Sequence, residues 1–200
     1  SNYYAFAALK TDGSVITWGN SSYGGDISNL SSSLGSGVSR IYSNFSSFAA
    51  IKTDGSVITW GDSTYGGDSS SVSSFLSSDV SKIYSTDYAF AALKTDGSVI
   101  TWGDSTVGGD SSSVSSFLSS GISQIYSTKY AFAALKTDGS VITWGNSSYG
   151  GDSSSVSSSL SSGVSEINSN TYAFAALKKD GSVVTWGDSR FGADSSNNNE

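Results

Sequence analysis

The chain repeats itself every 42 residues, and this period constrains its fold more than any other feature. Tryptophans fall at Trp18, Trp60, Trp102, Trp144 and Trp186, each 42 residues from the last with no insertion. Each is followed by glycine: Gly19, Gly61, Gly103, Gly145 and Gly187. Upstream, Asp-Gly recurs at Asp12-Gly13, Asp54-Gly55, Asp96-Gly97, Asp138-Gly139 and Asp180-Gly181. A unit this short cannot bury its apolar residues alone, so a strict period implies units stacked on one another. One repeat domain spans 1–200, with units 1–42, 43–84, 85–126, 127–168 and an incomplete 169–200.

The most regular copy runs from Tyr88 to Ser127. Its AFAALK and SVITWG segments read as strands, joined by a Thr-Asp-Gly turn in which glycine accepts the positive φ of a tight hairpin. GISQIYS, from Gly121, reads as a third strand, and GDSTVGGD as a glycine-rich loop. In SSSVSSFLSS, Val114 and Leu118 are four apart and Gly121 follows, which predicts a helix of one to two turns. Both faces of the strands are apolar. Val99 and Thr101 point one way, Ile100 and Trp102 the other. A sheet with one wet face would alternate cleanly, so each sheet is expected between two others, with Trp18 and its equivalents buried between neighbours. The fold class is all-β with a short helix or turn per repeat: a propeller-like tandem array of five units.

Composition narrows the function. There is no His and no Cys, which removes the commonest general base, the commonest transition-metal ligands and any disulfide framework. Serine is abundant, but no serine has an activating base at a marked spacing, and every polar group recurs in each unit. No catalytic residue is therefore assigned, and no cofactor. The net charge of -7 suits neither a nucleic-acid backbone nor an anionic membrane surface, and no run of 18 apolar residues spans a bilayer. The opening SNYYAF, without an initiator Met, reads as a processed or excised start. Asn20, Asn29, Asn44 and Asn146 each begin an Asn-x-Ser sequon.

The segment from Asp62 to Asp68 offers oxygen ligands for calcium, but Asn20 and Asn146 replace the first Asp elsewhere and the spacing matches no calcium loop. The alternative is aspartates capping turn amides, and no metal ligand is assigned. Tyr23, Tyr65, Tyr149 and Phe191 occupy one position of the glycine-rich loop, either as plugs over the sheet end or as anchors for a ligand. Asn2-Tyr3, Asn44-Phe45, Thr86-Asp87, Thr128-Lys129 and Asn170-Thr171 vary most between units, which predicts a solvent-facing loop. Tyr3 and Phe45 complete the candidate binding residues.

From Ala91 through Gly108, with Ile122 and Ile125 standing at the V-x-x-I stretch, the pattern A-x-x-x-x-DG-x-V-x-x-WG resembles the repeat of the regulator-of-chromosome-condensation propellers. In period and in Ser162-Gly163-Val164 with Ile167 it resembles the secreted bacterial β-lactamase-inhibitor type, whose blades have three strands. The resemblance covers all five units and implies a propeller fold, with partner contacts from the loops before the apolar strand. The chain departs from it where Tyr4, Ser46, Tyr88, Tyr130 and Tyr172 replace the family's usual His, and where the spacer has Ser in place of Pro. The relatives have seven blades.

Two functional readings follow. The near-identical, acidic, Ser-rich units point to an extracellular or cell-surface structural or adhesive protein. The resemblance points instead to a propeller that binds one protein. The Val-Ser-x-Ile spacer, with Ile122 for Val in one copy, occurs four times against five copies of the Trp-Gly strand, and the chain reaches Asn197 to Glu200 before a fifth. One blade is then short of a strand, which predicts an open array whose ends stack on other copies, self-associating into filaments, or on further repeats of a longer chain; the alternative is a gapped ring patched by its tails. A protein or glycan is the expected further partner; nucleic acid and membrane insertion are not.

Overall fold

The computed structural model describes residues 1–194; the stretch from 197 to 200, read above as the end of an incomplete unit, lies outside the described residues. Strands β1 (Ala5–Leu9) and β2 (Val15–Gly19) form a two-stranded antiparallel sheet. Four three-stranded antiparallel sheets follow: β3 (Val38–Ser43), β4 (Ser47–Lys52) and β5 (Val57–Gly61); β6 (Val80–Ser85), β7 (Ala89–Lys94) and β8 (Val99–Gly103); β9 (Ile122–Ser127), β10 (Ala131–Lys136) and β11 (Val141–Gly145); β12 (Val164–Ser169), β13 (Ala173–Lys178) and β14 (Val183–Gly187). The strands expected from AFAALK, SVITWG and GISQIYS are all present, and the sheets are stacked without closing a ring.

The local causes are those the sequence names. In the β1–β2 hairpin Gly13 has φ 79°, and the Asp12 carboxylate accepts from the Ser14 amide at 2.9 Å and hydroxyl at 2.6 Å. Those bonds, the hydroxyl's first, hold the Asp12 carboxyl below its ordinary range, and the same pair does so at Asp54, Asp96, Asp138 and Asp180. The spacer is shorter in helix than expected. It forms four-residue α-helices in two units only, α1 (Ser31–Leu34) and α2 (Ser157–Leu160), and elsewhere 3-10 turns such as Ser70–Val72 and Ser112–Val114. Serine hydroxyls compete for the backbone there, as when the Ser73 hydroxyl donates to the Ser70 carbonyl at 2.9 Å. One leucine per spacer, Leu34, Leu76, Leu118 or Leu160, is fully buried and fixes the segment against the stack.

The core is four separate clusters, one at each joint between adjacent sheets. At the joint of the third and fourth sheets, Ala89, Ala91, Leu93 and Val99 of one meet Ile122, Ile125, Phe132, Ala134 and Trp144 of the next. Within a sheet, Phe132 pairs across the strands with Trp144 and stacks on it at 5.1 Å. The indole N–H then crosses the joint and donates to the Gly108 carbonyl at 3.1 Å. Gly108 cannot be replaced without conflict: its φ is 106°, and a Cβ there would lie 2.5 Å from the Phe132 ring. Trp60, Trp102 and Trp186 repeat the bond to Gly24, Gly66 and Gly150 at 3.1–3.2 Å.

Four of the five tryptophans are thus buried between sheets, at 3–4% exposure. Trp18 corrects the expectation for all five. It is 49% exposed, because it projects from the first sheet toward the side where no sheet precedes it. The same side exposes Phe6 and Ile16, and the far face of the last sheet exposes Leu177 and Val183.

Trp102→Ala should cost about 3–5 kcal/mol, the range for a buried aromatic, and Trp18→Ala under about 1 kcal/mol; denaturant titration of the two variants checks the contrast. Asp79 is the one non-glycine residue at positive φ among those described, 67°, where the other spacers place Gly37, Gly121 and Gly163. Asp79→Gly is expected to raise stability by about 1 kcal/mol in the same assay.

Candidate interaction surface

The loops that lead into β1, β4, β7, β10 and β13 lie against one another along one end of the stack. They are tied by a backbone ladder that skips 42 residues at a time. The Tyr3 amide donates to the Phe45 carbonyl at 3.1 Å, Phe45 to Asp87 at 2.9 Å, Asp87 to Lys129 at 3.0 Å and Lys129 to Thr171 at 2.9 Å. Because the bonds use only main chain, five different side chains occupy one row. A cavity of about 810 Å³ opens beside the row, lined by Ser43, Ser85, Ser127 and Ser169 and by the row residues.

Three of the residues before the row positions are not solvent-facing as expected, while Asn170, at the end of the stack, is exposed and Asn2 is half-buried. Asn44, Thr86 and Thr128 are only 4–8% exposed, because their side chains clamp two loops together. Asn44 accepts from the Ser47 amide at 2.8 Å and donates to the Tyr65 carbonyl at 2.6 Å. Thr86 accepts from Ala89 and donates to the Val107 carbonyl. Thr128 does so between Ala131 and Tyr149, and Asn2 and Asn170 do so at the two ends of the stack. Asn and Thr interchange here because each supplies one acceptor and one donor. The restriction to these two residue types was the sequence signal for the clamp. It also places the Asn44 sequon on a buried, fully engaged side chain. Asn20 and Asn146 cap turns through the Ser22 and Ser148 amides.

The clamp brings the six expected binding residues together. Tyr23 stacks on Tyr4 at 4.2 Å, Tyr4 meets Tyr3 at 5.0 Å, and Tyr3 stacks on Phe45 at 4.8 Å. Phe45 contacts Tyr88 at 5.7 Å, and Tyr65 lies 4.7 Å from the same ring. Tyr88, Tyr130 and Tyr172 follow at 6.4 and 6.3 Å, with Tyr149 against the last two and Phe191 4.5 Å from Tyr172. The result is an unbroken ribbon of aromatic rings along one end of the sheets. Residue-by-residue reading missed Tyr4, Tyr88, Tyr130 and Tyr172, which had registered only as replacements for His. Where the ribbon lacks its tyrosine, at Ser46, Phe45 fills the place and the Ser46 hydroxyl is left buried without a partner.

Electrostatically the surface is nearly neutral. Asp87 and Lys129, neighbours in the row, form an ion pair at 3.2 Å, and the bond to Asp87 raises the Lys129 pKa. Burial first, then the Asp87 charge, pushes the Tyr88 hydroxyl above its ordinary value, so this edge of the ribbon stays uncharged at neutral pH. Asp62 and Asp68, the calcium alternative, accept from the Thr64 and Ser70 amides as turn caps. Among the described residues no three His, Cys, Asp or Glu side chains are grouped as a metal site would need.

Asn44→Thr should keep both clamp bonds and cost under about 1 kcal/mol, whereas Asn44→Ala should cost about 2–3 kcal/mol by stranding a buried amide and the Tyr65 carbonyl. Thermal melts of the pair, with Tyr side-chain circular dichroism to follow the ribbon, check both values.

No protein-family model matches the sequence, and neither does any curated protein. Solved structures do match. Yeast RCC1 (Prp20), in its complex with Kap60, aligns with a TM-score of 0.57 at 17% identity over 93% of this chain and 54% of that one. Prp20p of Saccharomyces cerevisiae, in a structure described with its binding to Gsp1p and histones, aligns with 0.53 at 15% identity over 93% and 56%. Human WBSCR16 aligns with 0.53 at 17% identity over 93% and 60%. The chain therefore spans somewhat over half the length of these proteins. At this identity the likeness is one of fold, and the fold of this chain is that of RCC1-like propeller repeats, five of them stacked side by side.

Proposed function

We propose that this chain is a non-catalytic repeat module that binds protein through its aromatic ribbon and serves outside the cell as a structural or adhesive element. The ribbon with its variable row is the observation that carries the reading. Tyrosine, serine, glycine and asparagine on a rigid frame are the composition of protein-binding loops, since aromatic rings with two torsions lose little entropy on binding. The row supplies what near-identical units otherwise lack, a patch with its own order of side chains: Tyr3, Phe45, Asp87, Lys129, Thr171. That yeast RCC1 was solved with Kap60, and Prp20p described with Gsp1p and histones, supports protein over other ligands for this fold. A glycan on the same rings is the second reading, since Tyr3 stands 74% exposed and the Tyr88, Tyr130 and Tyr172 rings, with centroids 6.3–6.4 Å apart, do not cover one another's faces. Absence of His and Cys and the repetition of most polar groups support the non-catalytic part, and the acidic, Ser-rich, Cys-free composition supports the extracellular part. Self-association through the end sheets belongs to the same reading.

The test is a binding screen on immobilised chain, against extracellular proteins and a glycan array. Tyr65→Ser/Tyr130→Ser/Tyr172→Ser should weaken any captured protein by at least about 100-fold, as loss of more than one interface anchor does. Phe75→Ser/Phe117→Ser, on the exposed outer rim, should leave it unchanged. Equal capture by the ribbon variant removes the site, and retention of glycans alone removes the protein partner.

A further inference from the structure

The two outermost sheet faces are complementary, and the four internal joints show how they fit. On the face of the first sheet, Phe6 and Trp18 stack at 5.2 Å and stand 52% and 49% exposed. Their equivalents Phe48 and Trp60 are 0% and 4% exposed, because the first sheet receives them. On the face of the last sheet, Leu177 and Val183 are 39% and 55% exposed, against 8% for each of Leu135 and Val141, which the last sheet covers. Gly192 holds φ 99° with only the Asn170 amide as near as 4.0 Å to where a Cβ would stand, while a Cβ on its equivalent Gly150 would lie 2.5 Å from Phe174. Beside Gly192 a groove of about 260 Å³, lined by Ala173, Ala175 and Phe191, occupies the place where an internal joint seats its aromatic pair. The backbone ladder is likewise open at both ends: among the described residues the Thr171 amide and the Tyr3 carbonyl make no backbone bond.

We infer that a second copy of this chain docks here, the Phe6–Trp18 face of one entering the Leu177–Val183–Gly192 face of the other. This deepens the self-association of the proposed function and rests on it, and of the ribbon it uses only Phe191, which lines the groove, and the main chain of Tyr3. The joint places the Trp18 indole N–H on the Gly192 carbonyl and the Thr171 amide on the Tyr3 carbonyl, the same bonds as within the chain. The two faces differ, so the contact is heterologous, and addition continues in one direction. β1 has no third strand beside it, so the joint lacks counterparts of Val38 and Ile41 and is weaker than an internal one.

Charge on either face separates this from other modes of association. Phe6→Glu/Trp18→Glu disables one face and Leu177→Glu/Val183→Glu the other; all four side chains are 39–55% exposed, and far-UV circular dichroism of each variant checks that it folds like wild type. Sedimentation velocity of the 200-residue chain should show species growing with concentration, and the Trp18 emission should move to shorter wavelength as they form. Each variant alone should sediment as a monomer. Mixed in equal amounts, the two should give a dimer and nothing larger, because one good face remains on each. A wild-type chain that stays monomeric up to ~1 mM, where even weak contacts of about 4 kcal/mol populate a complex, overturns the inference. So does a variant that still assembles alone, or a mixture that yields no dimer. A Tyr65→Ser/Tyr130→Ser variant, whose rings touch neither Phe191 nor Tyr3, should assemble like wild type, so a failure here leaves the ribbon untouched.

Discussion

The structure depends on one contact: a phenylalanine–tryptophan pair pressed against a glycine of the preceding unit. Everything else in the unit arranges that contact. The Asp-Gly hairpin brings the two aromatic strands into register so that Phe132 and Trp144 lie opposite each other. The glycine-rich loop turns back through a left-handed residue so that its backbone, not a side chain, meets the rings. Alanines on the facing strand let the sheets approach, and the indole N–H finds a carbonyl that would otherwise be buried without a donor. Because this hydrophobic contact lies between units and not inside them, a single unit has almost no core of its own.

This geometry separates frame from recognition. The frame is made of glycine, alanine, tryptophan and main-chain hydrogen bonds, which repeat without change. The row at Tyr3, Phe45, Asp87, Lys129 and Thr171 changes residue at every step while its backbone ladder stays at 2.9–3.1 Å. The ladder itself makes no demand on the side chains there. A surface can then acquire a partner without loss of stability, which is an unusual freedom in a chain whose units are otherwise nearly the same.

Much of this was readable in the sequence, for identifiable reasons. Strands, hairpins and stacking follow from segments apolar on both faces and from the Asp-Gly turns, which are local rules repeated five times. Two kinds of feature were not readable. The Asn44, Thr86 and Thr128 clamps look like loop polarity, since their partners Tyr65, Val107 and Tyr149 lie 21 residues away and only the fold brings them close. The continuity of the ribbon is equally non-local: Tyr88 and Tyr130 are separated by a whole unit, yet touch at one end of the stack. Trp18 shows the limit of arguing by equivalence, because five identical motifs do not have five identical surroundings.

The ion pair between Asp87 and Lys129 has a meaning beyond the charge it cancels. The four joints are chemically interchangeable, so during folding the second unit has little apolar reason to prefer the third over the fourth. Near-identical repeats are prone to such misassembly. Among the described residues, this is the only ion pair that bridges two units. It therefore acts as a mark of order in a chain that otherwise carries few, a key that fits one pair of neighbours and tells the array where its middle is.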